Sequence, residues 1–152
     1  MQNWFECKVK FEKQAEEGKL IKSAEAYVIE AINFTDAETR VIEEVSPFVS
    51  ATGEFEVANI RKVRLSDIFR SNGDKWYKAK LMYIIPDEEK GIEKRTASFV
   101  LVQASDLYDA VKLIIKEMGT TAINYEITSV AETIIMDVLP FKATDIDQPQ
   151  AE

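Results

Sequence analysis

Trp76-Tyr77-Lys78-Ala79-Lys80-Leu81-Met82-Tyr83 has a counterpart near the start of the chain, Trp4-Phe5-Glu6-Cys7-Lys8-Val9-Lys10-Phe11. Each opens on a tryptophan and a second aromatic, then alternates, the period of a half-buried strand. Further blocks follow in the same order. Phe99-Val100-Leu101 falls on Tyr27-Val28-Ile29, Asp109-Ala110 on Asp36-Ala37, and Ile114-Ile115 on Val41-Ile42. Tyr125-Glu126-Ile127-Thr128-Ser129-Val130 falls on Phe55-Glu56-Val57-Ala58-Asn59-Ile60, and Asp137-Val138-Leu139 on Asp67-Ile68-Phe69. Any two amphipathic segments align loosely, but the paired tryptophans and the long third block argue for an internal duplication of a strand-strand-helix-strand unit.

Outward from that alignment, residues 4–11 read as a strand with Phe5, Cys7, Val9 and Phe11 inward. A polar turn ending near Gly18 leads to a partner strand over 21–31. Thr35-Asp36-Ala37-Glu38 has the form of a capping box, and Ala37, Val41, Ile42 and Val45 make the apolar stripe of the helix it opens. Pro47 follows the helix end. The β-rich run 55–69 slips its alternation near Asn59, the mark of a bulge. Asn72-Gly73 is a tight-turn signal into Trp76. In the second copy Gly91 matches Gly18, Ser105 stands as the cap of a helix with stripe Leu107, Val111, Ile114, Ile115 and Met118, and Gly119 is placed as a left-handed C-cap.

The expected fold class is therefore α+β: a duplicated strand-strand-helix-strand unit giving a mostly antiparallel sheet of about six strands with two helices. Residues 1–72 form the first repeat, 73–141 the second, and 142–152 a flexible acidic tail too polar to order itself. A right-handed crossover makes the second and third strands of a unit parallel, with order 2-1-3 about the first. An Asn72-Gly73 hairpin would instead pair the third strand with the fourth, which competes with that order.

Composition narrows the chemistry. The chain has 152 residues, 19 basic and 27 acidic, a net charge of -8, and 46% hydrophobic residues. That suits one soluble domain, or two small ones sharing a core, and discourages indiscriminate binding to nucleic acid or anionic lipid. No apolar run approaches the roughly 20 residues of a membrane span, and no leader-like segment opens the chain, so a cytoplasmic protein is expected. A single cysteine fits a reducing compartment. There is no histidine, no phosphate-binding glycine spacing and no zinc pattern, so no cofactor, metal or catalytic group is assigned. Cys7 reads as a small core residue. Asp67 and Asp137, the matched acids, read as turn caps or as a pair between the copies. Glu43-Glu44 and Asp87-Glu88-Glu89 read as solvated acids.

One surface rises above this background. If Phe5, Cys7 and Val9, and Tyr77, Ala79 and Leu81, point inward, then Trp4, Lys8 and Lys10, and Trp76, Lys78 and Lys80, point outward, and Lys62 and Arg64 join them by parity. Tryptophans interleaved with lysines on a sheet face are the parts of a single-stranded nucleic-acid platform, where bases stack on rings and ammonium groups follow phosphates. The plainer reading places both indoles under loops, between the copies, or in a dimer, since tryptophan is highly buried on average and enriched at interfaces.

The opening Asn3-Trp4-Phe5-Glu6-Cys7-Lys8-Val9-Lys10, the block Leu101-Val102-Gln103-Ala104-Ser105-Asp106-Leu107 and the run from Tyr125-Glu126-Ile127 to Met136-Asp137-Val138 give the chain a resemblance. It resembles an uncharacterised family of small proteins from gut Bacteroidetes and their mobile elements. That resemblance implies a bacterial or phage cytoplasmic protein and carries no functional residues with it. The expected function is a non-enzymatic interaction module that uses an open sheet face for self-association or for a protein partner. Single-stranded nucleic-acid binding is the alternative.

Overall fold

The computed structural model describes residues 3–14, 17–48 and 54–141. The elements run β1 (Trp4–Gln14), β2 (Leu20–Glu30), α1 (Phe34–Val45), β3 (Phe55–Val63), β4 (Asp67–Phe69), β5 (Lys75–Asp87), β6 (Ile92–Ala104), α2 (Leu107–Glu117), β7 (Asn124–Glu132) and β8 (Ile135–Leu139). Short 3-10 turns follow each helix at Ser46–Phe48 and Met118–Thr120. The α+β class stands, with two helices. Among the described residues there are eight strands in two mixed four-stranded sheets, not about six in one.

Two compact units result. Unit 1 holds residues 1–63 and 134–152, and its sheet has the order β3-β1-β2-β8. β1 pairs antiparallel with both β2 and β3, so the expected 2-1-3 arrangement is present, and β8 adds parallel to β2. Alternation in β1 sends Phe5, Cys7 and Val9 to one face, where Ala37, Val41 and Val45 of α1 pack with Ile29 and Ala31. Unit 2 holds residues 64–133 in the order β4-β6-β5-β7. Here Tyr77, Ala79, Leu81, Val100 and Val102 take Ala110 and Ile114 of α2.

The compact units are thus not the contiguous stretches 1–72 and 73–141. The chain leaves unit 1 after Val63 and returns at Ile134. The run 55–69 divides into β3 and β4, and β4 pairs parallel with β6, Asp67 opposite Val100. The run ending at Leu139 divides in the same way, β8 pairing with β2 through Val28 opposite Val138. The Asn72-Gly73 hairpin is not made, because β5 is flanked by β6 and β7 and has no place for β4. The tail expected at 142–152 lies outside the described residues.

The bulge expected near Asn59 is present. Lys8 faces Asn59 and Val9 faces Val57, which leaves Ala58 unpaired. β7 repeats it: Lys80 faces Ser129 and Leu81 faces Ile127, and the extra residue, Thr128, donates its hydroxyl to the Lys80 carbonyl at 3.0 Å. Gly18 and Gly91 hold φ of 77° and 65° at the two hairpin turns, a region where a Cβ is strained.

The helix starts differ from expectation. Asn33 caps α1, its Oδ1 accepting from the Asp36 amide at 2.8 Å, while Asp36 accepts from the Ile32 amide at 3.0 Å. This is a reciprocal box two residues before Thr35. Asp106, not Ser105, caps α2 by accepting from the Asp109 amide at 2.8 Å, and Ser105 donates to the Asp109 carboxylate. Asn and Asp are among the best N-caps, so they displace the neighbouring hydroxyls. Gly119 sits in a 3-10 turn without a left-handed φ. Asn33→Ala and Asp106→Ala are expected to cost about 1 kcal/mol each. Thr35→Ala should stay within about 0.5 kcal/mol. Urea denaturation of the variants checks both.

Candidate functional site

Alternation gathers the expected residues within each strand. In β1, Trp4, Lys8 and Lys10 lie on the face opposite Phe5, Cys7 and Val9, and in β5 Trp76, Lys78 and Lys80 lie opposite Tyr77, Ala79 and Leu81. The indoles are not outward, however. Trp4 is 4% exposed and Trp76 2%. Their cross-strand neighbourhoods explain this: Val28, Ala26 and Val138 share Trp4's face and are buried too, as is Leu101 on Trp76's face. Period two states which face a side chain takes, not whether that face is covered. Neither ring is presented for base stacking.

The cations scatter. Lys8 and Lys10 are exposed on β1. Lys62 stands opposite Phe5, on the helix side of the sheet, because the extra residue at Ala58 reverses parity along β3. Arg64 lies beyond β3 and falls in unit 2. Lys78 is half-buried with its ammonium 5.0 Å from the Phe99 ring centroid, and Lys80 is half-buried beside it. The cation sharing Trp4's face on β3 is Arg61, which bridges Glu6 at 2.5 Å. Sequence parity missed it for the same reason that it misplaced Lys62.

A different surface emerges in unit 2. The inward parity of β5 continues past Leu81 through Tyr83 and Ile85, with Tyr125 opposite Tyr83 and Ile92 opposite Asp87. The helix does not reach that far. At 11 residues α2 spans about 17 Å, whereas the 13-residue strands β5 and β6 extend about 43 Å. Ile85 is 44% exposed, Ile92 58%, and Ile123, just before β7, 47%. The signal was available in the sequence as a mismatch between strand and helix lengths.

The remaining polar groups serve local structure. Asp67 and Asp137 each accept from the following amide, Ile68 at 2.9 Å and Val138 at 2.8 Å. Glu30 is buried and accepts from the Phe141 amide at 2.9 Å. An open groove of about 560 Å³ lies between α2 and residues 71–73. Its Ser71 is already tied to Gln103, donating from its hydroxyl at 2.5 Å and from its amide at 3.1 Å. No cluster of three or more metal-ligating side chains occurs among the described residues, and none of their helices is long and apolar enough to cross a membrane.

Burial, with the nearby Glu6 carboxylate adding, pushes the Cys7 thiol from 9.0 to about 12. Burial, then the Glu25 carboxylate that accepts from the Tyr27 hydroxyl, pushes Tyr27 from 10.0 to about 12. Both folded values lie above the unfolded ones, so folding favours the protonated forms. The stability they contribute is whole below pH 9 for Cys7 and below pH 10 for Tyr27, and is lost as pH climbs toward 12. Cys7 is expected to resist a thiol reagent at neutral pH until the protein unfolds. A reaction rate equal to that of a free thiol would contradict this.

A family model described as "Domain of unknown function (DUF4494)" matches residues 3–141. The chain belongs to this family. The match spans both compact units. Comparisons with curated proteins and with solved structures gave no match.

Proposed function

We propose that this DUF4494 protein is a non-enzymatic interaction module, and that it binds through the far end of the β5-β6-β7 sheet. The observation that supports this is the apolar group of Ile85, Ile92 and Ile123 beside Tyr83 and Tyr125, beyond the reach of α2. Exposed apolar side chains gathered at one end of a sheet face mark interaction sites in soluble proteins. Covering the exposed half of three isoleucines gives on the order of 1 kcal/mol each, which suits a modest or transient contact. The setting we infer is the cytoplasm of a bacterium or phage-infected cell, in keeping with the lone buried thiol Cys7.

We also infer that the two units arose by duplication. Supporting it are the paired bulges at Ala58 and Thr128, the paired turns at Gly18 and Gly91, and the matched acids Asp67 and Asp137, each accepting from the next amide.

A photo-crosslinking residue at position 92 tests the interaction reading in cells, with light scattering as a check for self-association. A crosslinked species is expected that the exposed substitutions Ile85→Asp and Ile123→Asp remove without changing the melting temperature. No crosslinked species, together with a monomer at every concentration, sinks it. Titration with a single-stranded oligonucleotide at low salt is expected to leave tryptophan fluorescence unquenched, and salt-dependent quenching would favour the nucleic-acid alternative.

A further inference from the structure

Over residues 92–97, the outer edge of β6 pairs with no strand among the described residues. β4 takes only Val100–Val102, and the Ser66 amide closes that contact on the Phe99 carbonyl at 2.8 Å. In a strand the N–H and C=O of one residue point the same way, and the direction alternates. Since Phe99 and Gln103 direct their carbonyls to the outer side, Glu93, Arg95 and Ala97 direct theirs there too. Residues 92–97 are all exposed.

Resting on the interaction reading above, we propose that this edge binds an extended, acidic segment of a partner protein as an added antiparallel strand. Main-chain bonds to Glu93, Arg95 and Ala97 supply the affinity, and the side chains beside the edge supply the choice. Lys94 projects on the helix-side face with Ile92 and Thr96, and Arg95 on the other. An incoming strand therefore meets one cation on each face at adjacent positions, and two adjacent acids flanked by β-branched residues complement them. Arg95 is held only loosely, 3.7 Å from Glu126 with both side chains about half exposed, so it is free to turn to a ligand. Charges on an edge also guard it against indiscriminate pairing, so the groups that exclude wrong strands select the right one.

A second copy fits worse. Two identical antiparallel edges turn about one residue that faces itself. Centring on Glu93 or Arg95 sets like charges opposite one another, which is destabilising, and centring on Lys94 sets two lysines face to face, offset only by two exposed Glu93–Arg95 pairs worth little each. Centring on Thr96 brings Glu93 against Phe99, whose carbonyl already accepts from Ser66.

The test uses the full chain and a short synthetic peptide carrying two adjacent glutamates between valines, followed by amide chemical shifts and fluorescence anisotropy. Saturable shifts are expected at Glu93, Arg95 and Ala97. Exchanging the glutamates for lysines should weaken binding about tenfold, the size expected for two exposed charge pairs. Lys94→Glu with Arg95→Glu should reverse that preference, and N-methylating alternate peptide amides should abolish binding. Three results overturn the proposal: no shift at those amides with either peptide, binding indifferent to N-methylation, or shifts that follow protein concentration without peptide. If position 92 still crosslinks a partner while the peptides fail, the interaction reading survives and only the strand-addition proposal falls.

Discussion

Trp76→Ala is expected to destabilise the protein by about 3–5 kcal/mol, measured by chemical denaturation with far-UV circular dichroism. The indole is 2% exposed, and the Arg70 guanidinium lies 5.6 Å from its ring centroid. The same residue anchors the chain at its backbone, where its carbonyl accepts from the Thr133 amide at 2.9 Å and from the Thr133 hydroxyl at 2.8 Å. Truncation removes a large apolar volume from a site whose backbone is held, so collapse into the cavity is restricted and most of the penalty stays. Trp76→Phe keeps a ring and should cost roughly 1–2 kcal/mol. A tryptophan serving as an exposed stacking platform behaves oppositely, leaving stability within about 0.5 kcal/mol of the parent. The pair of variants thus separates a packed indole from a displayed one.

That contrast shows where sequence reading stops. The alternation in residues 4–11 and 76–83 placed Phe5, Cys7 and Val9, and Tyr77, Ala79 and Leu81, on the helix side. It did so because that burial is decided within one hairpin and one helix. The fate of the opposite face depends on elements distant in sequence. Val138, buried on the same face as Trp4, arrives from the last strand of the chain. A reading that follows one strand at a time has no access to that.

The same limit explains the broken runs. Residues 55–69 carry enough apolar character for one long strand, and nothing local announces that Asp67–Phe69 joins the sheet of the second unit. Either sheet satisfies the short apolar pattern of Ile68 and Phe69, so the choice rests on where the chain can go. The bulge near Asn59 was legible as a slip in period, yet its consequence for Lys62 needed the register. The cap positions erred by one or two residues for a simpler reason. Thr35, Asn33, Ser105 and Asp106 are all competent caps, and only backbone geometry selects among them. The apolar end of the β5-β6 hairpin was readable from lengths alone, once helix and strand rises are compared.

Gly73→Ala is the second large effect, expected to cost about 3 kcal/mol and to lower the melting temperature accordingly. Asn72-Gly73 looked like a tight turn selected for positive φ, but Gly73 has no such φ. A Cβ there falls on the carbonyl carbon, Cα and oxygen of Ala104, at the end of β6. These are backbone atoms within a paired strand, where Ala104 faces Lys75, so they have no rotamer to yield by. The glycine is needed because two backbones pass close together at the entry to β5, a requirement the dipeptide alone does not distinguish from a turn. Two controls isolate the cause. Gly119→Ala meets nothing within 4 Å and has an ordinary φ, so stability should hold or rise slightly. Gly91→Ala also meets nothing, but its φ of 65° makes a penalty of about 1 kcal/mol the expected result. Equal behaviour of all three variants would remove the close-approach argument. The ranking Gly73 far above Gly91, with Gly119 near zero, is what contact with the Ala104 backbone requires.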